Sequence, residues 1–313
     1  MKIIAPAVLA LLAMASAPAQ AWNDFGHMEV AAVAWSQLKP AARARAIALL
    51  KLNPKYDSWI AGVPAGQRDQ IAFVRAATWP DAIKRDPAYQ SDGSDNGDRP
   101  PPGPEASQNI GYADHLRHKY WHFIDQPFSP DGTALQKGDT PNVSTQIKAL
   151  RAKLSEPGAS DDVKSYDLAW LLHLVGDVHQ PLHAASRFIH SQPQGDAGGN
   201  KVGIHCGSGC SAQELHTFWD SVLGGSEDPR AAINAARKLP KASAQLASIT
   251  DDKAWAAESF KIAKAYAYKS PIGVGDGPFT LSSAYQARAL RIAKARVALA
   301  GARLARLLNT ALR

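Results

Sequence analysis

Residues 171–183 read LLHLVGDVHQPLH, three histidines and an aspartate set in an otherwise apolar run. Burying even a neutral polar group without a partner costs roughly 2–7 kcal/mol, so something must offset these four. His173 and Asp177 stand four apart, which on a helix stacks them on one face, one turn apart. His183 follows just past Pro181, where a helix must already have ended. ELHTFWD repeats the spacing with His216 and Asp220. An imidazole and a carboxylate at this spacing can chelate one metal ion, and zinc accepts such nitrogen and oxygen donors readily. One pair alone reads as a surface salt bridge. Two pairs with a further histidine between them point to metal chemistry. More donors lie upstream: Asp81 in ATWPDAIK, His122 in YWHFID and His27 in WNDFGH.

The elements that must carry these residues read as helices. Apolar residues recur at three-four spacing over residues 26–38, 41–51, 143–154, 163–179, 213–222, 229–238, 252–268 and 282–309. Pro40 and the Asp228-Pro229 pair mark helix starts. No alternating strand pattern competes and no repeat is present. Residues 86–110 and 186–211 are rich in Gly, Pro, Ser and Asp and read as long surface loops. The expected fold is therefore all-α, one globular domain of many helices over residues 22–313, with the metal donors at the base of a cleft between helices.

Residues 1–21 read as a secretory signal: a charged MK, a short apolar run and a small-residue AQA site before Trp22. The run is too short to span a bilayer. The expected product is exported, to the periplasm or the medium, and begins at Trp22 with a free amine. Cys206 and Cys210, in HCGSGC, are the only cysteines. In an exported chain this spacing favours a disulfide closing a small loop over a metal-binding thiolate pair. The formal charge is +7, and from Leu281 to Arg313 there are six arginines, one lysine and no acid. Such an excess suits polyanions, although on charge alone a solvated helix face is the better account. NVS at 142–144 is a glycosylation sequon.

Taken in order, Trp22 followed by GH, WPDAIK, HFID, HLVGDVHQPLH, GDAGGN, LHTFWD and the last helix AYQARALRIAKARVALAGARLARLLN resemble the zinc-dependent single-strand nucleases of the S-one/P-one type. The resemblance runs from Trp22 to about Asn309. It implies three zinc ions. Asp81, His122, His173 and Asp177 would hold the first, and His183, His216 and Asp220 the second. The amine and carbonyl of Trp22, with His27 and a bridging Asp177, would hold the third. It also implies a hydroxide between two zincs as nucleophile, oriented by Asp81, and Lys84 on the phosphate. Phe123 would stack a nucleobase whose edge Asp125 and Asn200 would bind, with Asp196 ordering the loop of Asn200. The implied reaction is hydrolysis of single-stranded DNA and RNA to 5′-phosphorylated nucleotides, with removal of 3′-phosphate from 3′-nucleotides beside it, by a monomer with no membrane anchor. His179 has no ligand role in this scheme and reads as structural. The rival readings are a zinc phospholipase C, in which the second site would carry Glu where this chain has Asp220, and a non-catalytic metal- or nucleic-acid-binding protein.

Overall fold

The computed structural model describes residues 22–313, so the signal segment read at 1–21 lies outside the described residues. Twelve α-helices make up the body: α1 Asp24–Gln37, α2 Pro40–Leu50, α3 Tyr56–Ile60, α4 Arg68–Ala76, α5 Trp79–Ala82, α6 Val143–Leu154, α7 Asp161–Asp177, α8 Leu215–Ser221, α9 Pro229–Ala236, α10 Ala244–Ala247, α11 Asp252–Ile262 and α12 Ser283–Ala311. Extended structure is confined to two parallel pairs of two-residue strands, β1 Pro127–Phe128 with β2 Ser186–Arg187 and β3 Ile204–His205 with β4 Phe279–Thr280. The fold is all-α, as the periodicity implies.

α7 is the central element. Every residue from Ser165 to Asp177 is buried, the mark of a helix surrounded by others. Its first turn is capped by Ser160, whose side chain accepts from the Val163 N–H at 3.3 Å. α1 and α6 both pack against α7, and α1 also packs on α4, α9 and α12. Two glycines permit these approaches. A Cβ on Gly176 of α7 would lie 2.8 Å from His27 Nδ1, and one on Gly301 of α12 would lie 2.5 Å from Val33 of α1.

Pro40 and Pro229 stand in the first turn of their helices, and the Asp228 carboxylate accepts from the Arg230 N–H at 3.0 Å. The helix expected over 252–268 stays α-helical only to Ile262, then widens into a π-helical turn, Ala263–Ala267. α3, α4, α5 and α10 lie outside the expected helices; three of the four span five residues or fewer. The two expected loops are loops. The second holds a disulfide between Cys206 and Cys210, Cα atoms 5.7 Å apart. Asn142 of the sequon caps α6 instead, accepting from the Ser144 and Thr145 N–H groups at 3.1 and 3.2 Å. It is only 9 % exposed. Among the described residues no helix is long and apolar enough to cross a membrane.

The basic last helix divides in two. Arg296 and Arg303 are buried and spend their guanidinium groups inside the fold. Arg303 forks onto Glu258 at 2.7 and 2.8 Å, and Arg296 reaches the same carboxylate at 3.1 Å. These two are therefore unavailable to a polyanion, and only the remainder of the basic run faces solvent.

Candidate metal centre and substrate cleft

All nine expected ligand residues are buried, none more than 5 % exposed. Six separate elements deliver them. His27 comes from the first turn of α1, where the Asn23 side chain accepts from the Gly26 N–H at 3.2 Å and fixes the start of the helix. Asp81 comes from α5, and His122 closes a short 3-10 turn, Lys119–Trp121. His173 and Asp177 occupy the last two turns of α7. His183 lies on a second 3-10 turn, Pro181–Ala184, and His216 and Asp220 lie on α8.

Three groups of donor atoms converge to within 4.8 Å: His27, Asp81 and His173; His122, His173 and Asp177; and His183, His216 and Asp220. The second group holds three of the four residues expected for the first zinc and the third the three expected for the second; Asp81 instead groups with His27 and His173, its Oδ1 3.6 Å from His173 Nε2 and 3.8 Å from His122 Nδ1. His27 Nε2 is 3.2 Å from Asp177 Oδ1, so Asp177 stands between His27 and the His122–His173 pair. The His27 and His173 rings are stacked, centroids 3.7 Å apart. Trp22 is fully buried, and the N–H of Asn23 donates to the Asp220 carbonyl at 3.1 Å, which holds the segment beside a candidate ligand.

The hydrogen bonds around the histidines fix where their lone pairs point. Nδ1 of His173 donates to the Ala77 carbonyl at 2.7 Å, that of His183 to the His122 carbonyl at 2.8 Å, and that of His216 to the Gly198 carbonyl at 2.8 Å. A neutral imidazole that donates through Nδ1 presents a bare lone pair at Nε2. His173 Nε2 lies 3.0 Å from His122 Nδ1, which is also 2.9 Å from Asp177 Oδ2, while two bare lone pairs, on His183 Nε2 and His216 Nε2, face one another at 3.0 Å. Two lone pairs at that separation repel unless a cation lies between them. His27 has no hydrogen bond on either ring nitrogen, and Asp177 Oδ1 is buried without one. Backbone carbonyls orienting ligand imidazoles are the usual support of a metal site. The residues present therefore fit metal ions.

The protonation states agree. Burial holds His27, His173 and His216 down to about 4, and takes His122 and His183 well below the usual value. All five are neutral at ordinary pH and so able to act as ligands. Burial pushes Asp177 up to about 8, His173 pulling against it and Asp81 adding to it, and burial also raises Asp220 well above the usual carboxylate range. Burial would raise Asp81 also, but the Lys84 ammonium 2.7 Å away, with His173 and His27, holds it below the usual carboxylate range. Asp177 and Asp220 are thus carboxylates with too little positive charge around them. The side-chain N–H of Gln180 donates to Asp220 Oδ1 at 2.7 Å and orients it, a role the sequence reading missed although Gln180 stands inside HQP.

Above the donors opens a cleft of about 640 Å³. Lys84, Phe123, Asp125 and Asn200 line it together with His122, His183 and His216. Phe123 and Asp125 are half-buried at its wall. Burial, with Asp196 and Asp139 nearby, pushes Asp125 up to about 7. Asp196 accepts from the Arg187 and Gly199 N–H groups at 2.9 and 3.2 Å, which orders the turn before Asn200 as expected. Gly198 in that turn has φ +62°, and a Cβ there would meet the Leu182 carbonyl at 2.6 Å.

Two further clusters were not foreseen. His118, with φ 43°, bridges Asp92 at 2.6 Å and Asp114 at 3.1 Å and stacks on Trp121, tying the long 86–110 loop to the turn that presents His122. His179 accepts at Nε2 from Arg303 at 2.9 Å and donates from Nδ1 to the Val175 carbonyl at 2.7 Å. Its structural reading holds, with the partners now named. The only sequence signal for either was an unexplained histidine.

An all-α body around buried His/Asp groups that could hold metal, open to a cleft, is an architecture suited to metal-dependent chemistry. The profile of the family described as S1/P1 Nuclease matches residues 22–313, and the chain belongs to that family. It is 26 % identical to Endonuclease 3 of Arabidopsis thaliana over 309 residues, covering 92 % of this chain and 88 % of that protein. Family membership supports a nuclease, a hydrolase acting on nucleic-acid ester bonds, and favours that reading over the phospholipase.

Proposed function

We propose that the protein is an exported, zinc-dependent phosphodiesterase that hydrolyses single-stranded DNA and RNA to 5′-phosphorylated nucleotides and also removes the 3′-phosphate of 3′-nucleotides. The observation that carries this reading is the pair of bare lone pairs on His183 Nε2 and His216 Nε2, facing one another at the floor of a cleft in a nuclease-family chain. Asp81, His122, His173 and Asp177 would hold one ion, and His183, His216 and Asp220 a second. His27, the Trp22 amine and carbonyl and a shared Asp177 would hold a third. Bound zinc supplies Lewis acidity and makes water acidic enough to serve as a nucleophile near neutral pH.

The chain's own residues supply the rest. The Lys84 ammonium, held by Asp81 at the cleft wall, meets a phosphoryl oxygen as a point charge. Phe123 offers its face to one base, and Asp125 and Asn200 offer polar atoms to that base's edge. Stacking on a single aromatic at the cleft wall needs an unpaired base and tolerates any sequence, which would account for a single-strand preference. The relative's name, an endonuclease, supports cleavage within strands.

The test mixes zinc-loaded protein with a single-stranded oligonucleotide, with and without chelator, and weighs the products. Release of 5′-phosphorylated nucleotides that stops on chelation is expected. An intact oligonucleotide with fully loaded protein would sink the reading, and hydrolysis of phosphatidylcholine by the same sample would replace it.

A further inference from the structure

A second depression, about 930 Å³, lies between the C-terminal half of α1, the segment running from α9 to α10, and the last turns of α12. It shares no lining residue with the catalytic cleft. Small buried side chains, Ala32, Ala302 and Ala305, form part of its floor. Five exposed cations stand around it, Arg313 and the four residues Lys39, Arg237, Lys241 and Arg306, and no acidic side chain lines it. Among the described residues none of the four forms an ion pair with a carboxylate. The catalytic cleft differs: its cations are interspersed with Asp95, Asp98, Asp125, Asp139 and Glu214. Of these two concavities, the one whose charged side chains are all basic is therefore the one without metal donors.

We propose that this groove is an accessory site for the sugar-phosphate backbone of a single strand, engaged by long substrates while another part of the same strand occupies the cleft. The proposal rests on the nuclease reading for its choice of polyanion. The groove contains no aromatic side chain. It therefore offers no platform for bases and reads phosphate spacing alone, independent of sequence. α1 links the two sites. His27 is in its first turn and Gln37 of the groove is its last residue, ten positions on. At about 1.5 Å per residue that is roughly 15 Å along the helix axis. Each nucleotide of a strand covers at least about 3.4 Å, so a short oligonucleotide fills only one site and a longer one reaches both. Joining the two contacts on one strand raises affinity without a new contact in the cleft.

The test uses the zinc-loaded protein and the charge-reversal variant K39E/R237E/K241E/R306E, none of whose positions lies in the metal centre or the cleft. Binding of a cleavage-resistant phosphorothioate oligothymidylate is followed across a salt series, beside hydrolysis of a dinucleotide. The variant is expected to lose at least about tenfold in affinity for the long strand at low salt. The slope of log affinity against log salt should fall by about 2–3, near 0.7 for each lost phosphate contact. Dinucleotide hydrolysis stays at the wild-type kcat/KM. Unchanged long-strand affinity and slope overturn the proposal. So does a result in which anionic phosphatidylglycerol vesicles, not the oligonucleotide, lose binding in the variant. Should dinucleotide and long-strand binding fall together, the double variant K39E/K241E decides: a selective loss for the long strand supports the groove, and a parallel loss overturns it. A protein that hydrolyses nothing yet binds the strand through these four residues would fail the nuclease reading and leave the groove standing.

Discussion

At the scale of single residues, the proposed role of Trp22 in the metal centre is one that no side-chain substitution probes. Its indole is buried, a Cβ on Gly26 would come within 2.7 Å of its Cβ, and the next N–H is pinned to the Asp220 carbonyl. There is little room for the chain to shift at this point. If the freed amine of Trp22 is a zinc ligand, residues added before it replace a coordinating amine by an amide nitrogen with no lone pair to give. Protein carrying an extra Met-Gly before Trp22 is expected to bind one zinc fewer by elemental analysis and to lose upward of about tenfold in activity, the scale at which disturbing a metal's surroundings is felt. Full zinc content and activity in the extended protein would remove the amine from the ligand set and leave His27 and Asp177 to act without it.

At the scale of elements, the last helix does structural work that its charge conceals. Arg303 donates to Glu258, to His179 and to the Leu246 carbonyl, and its guanidinium lies over the Trp255 ring at 5.3 Å. Arg296 donates to the His179 carbonyl at 3.1 Å and to Ser259 at 2.8 Å. α12 therefore grips the chain just past α7, between the ligands Asp177 and His183. Arg303→Ala takes the fork from Glu258, which keeps Arg296, and leaves buried His179 Nε2 without its donor; it is expected to cost about 2–3 kcal/mol, a fall in Tm of roughly 4–8 °C by calorimetry. Arg303→Lys keeps the charge, loses the fork and should fall between. The exposed Arg306→Ala should stay within about 0.5 kcal/mol of wild type. Equal Tm values for the two alanine variants would show that the buried fork adds nothing. The same helix marks the limit of the sequence. Its periodicity announced a helix and its arginines a polyanion face, but which arginines turn inward depends on Glu258, far away in the chain. The His/Asp pairs at helical spacing were legible because one turn suffices to bring them together. Their convergence with Asp81 and His122 rests on packing between separate elements and came only through the motifs' resemblance. α3, α5 and α10 are too short to show a period, and the His118–Asp92–Asp114 bridge joins residues that no local rule pairs.

At the scale of the whole molecule, metal binding and folding are one equilibrium, and pH shows it. His27, His173 and His216 titrate near 4 in the folded chain against about 6.5 when unfolded, with burial as the cause. Between those values the unfolded chain binds protons that the folded chain refuses, so stability falls as pH drops through the window from about 6.5 to 4. Asp177 acts in the opposite sense while no cation is bound. Burial raises it to about 8, so between about 4 and 8 the folded chain holds a proton that the unfolded chain has lost. The stability of metal-free protein therefore declines as pH rises toward 8. A divalent ion beside Asp177 removes that second penalty by favouring the carboxylate, and it binds only deprotonated imidazoles. The two effects act together on the gain in Tm from zinc. Measured by thermal scans with zinc and with chelator, the gain is expected to be greatest near pH 8, to shrink steadily below about 6.5, and to close by about 4. A gain that stays level across that range would mean that the ions are held by groups other than these buried histidines and Asp177, and the assignment of the centre would have to move with it.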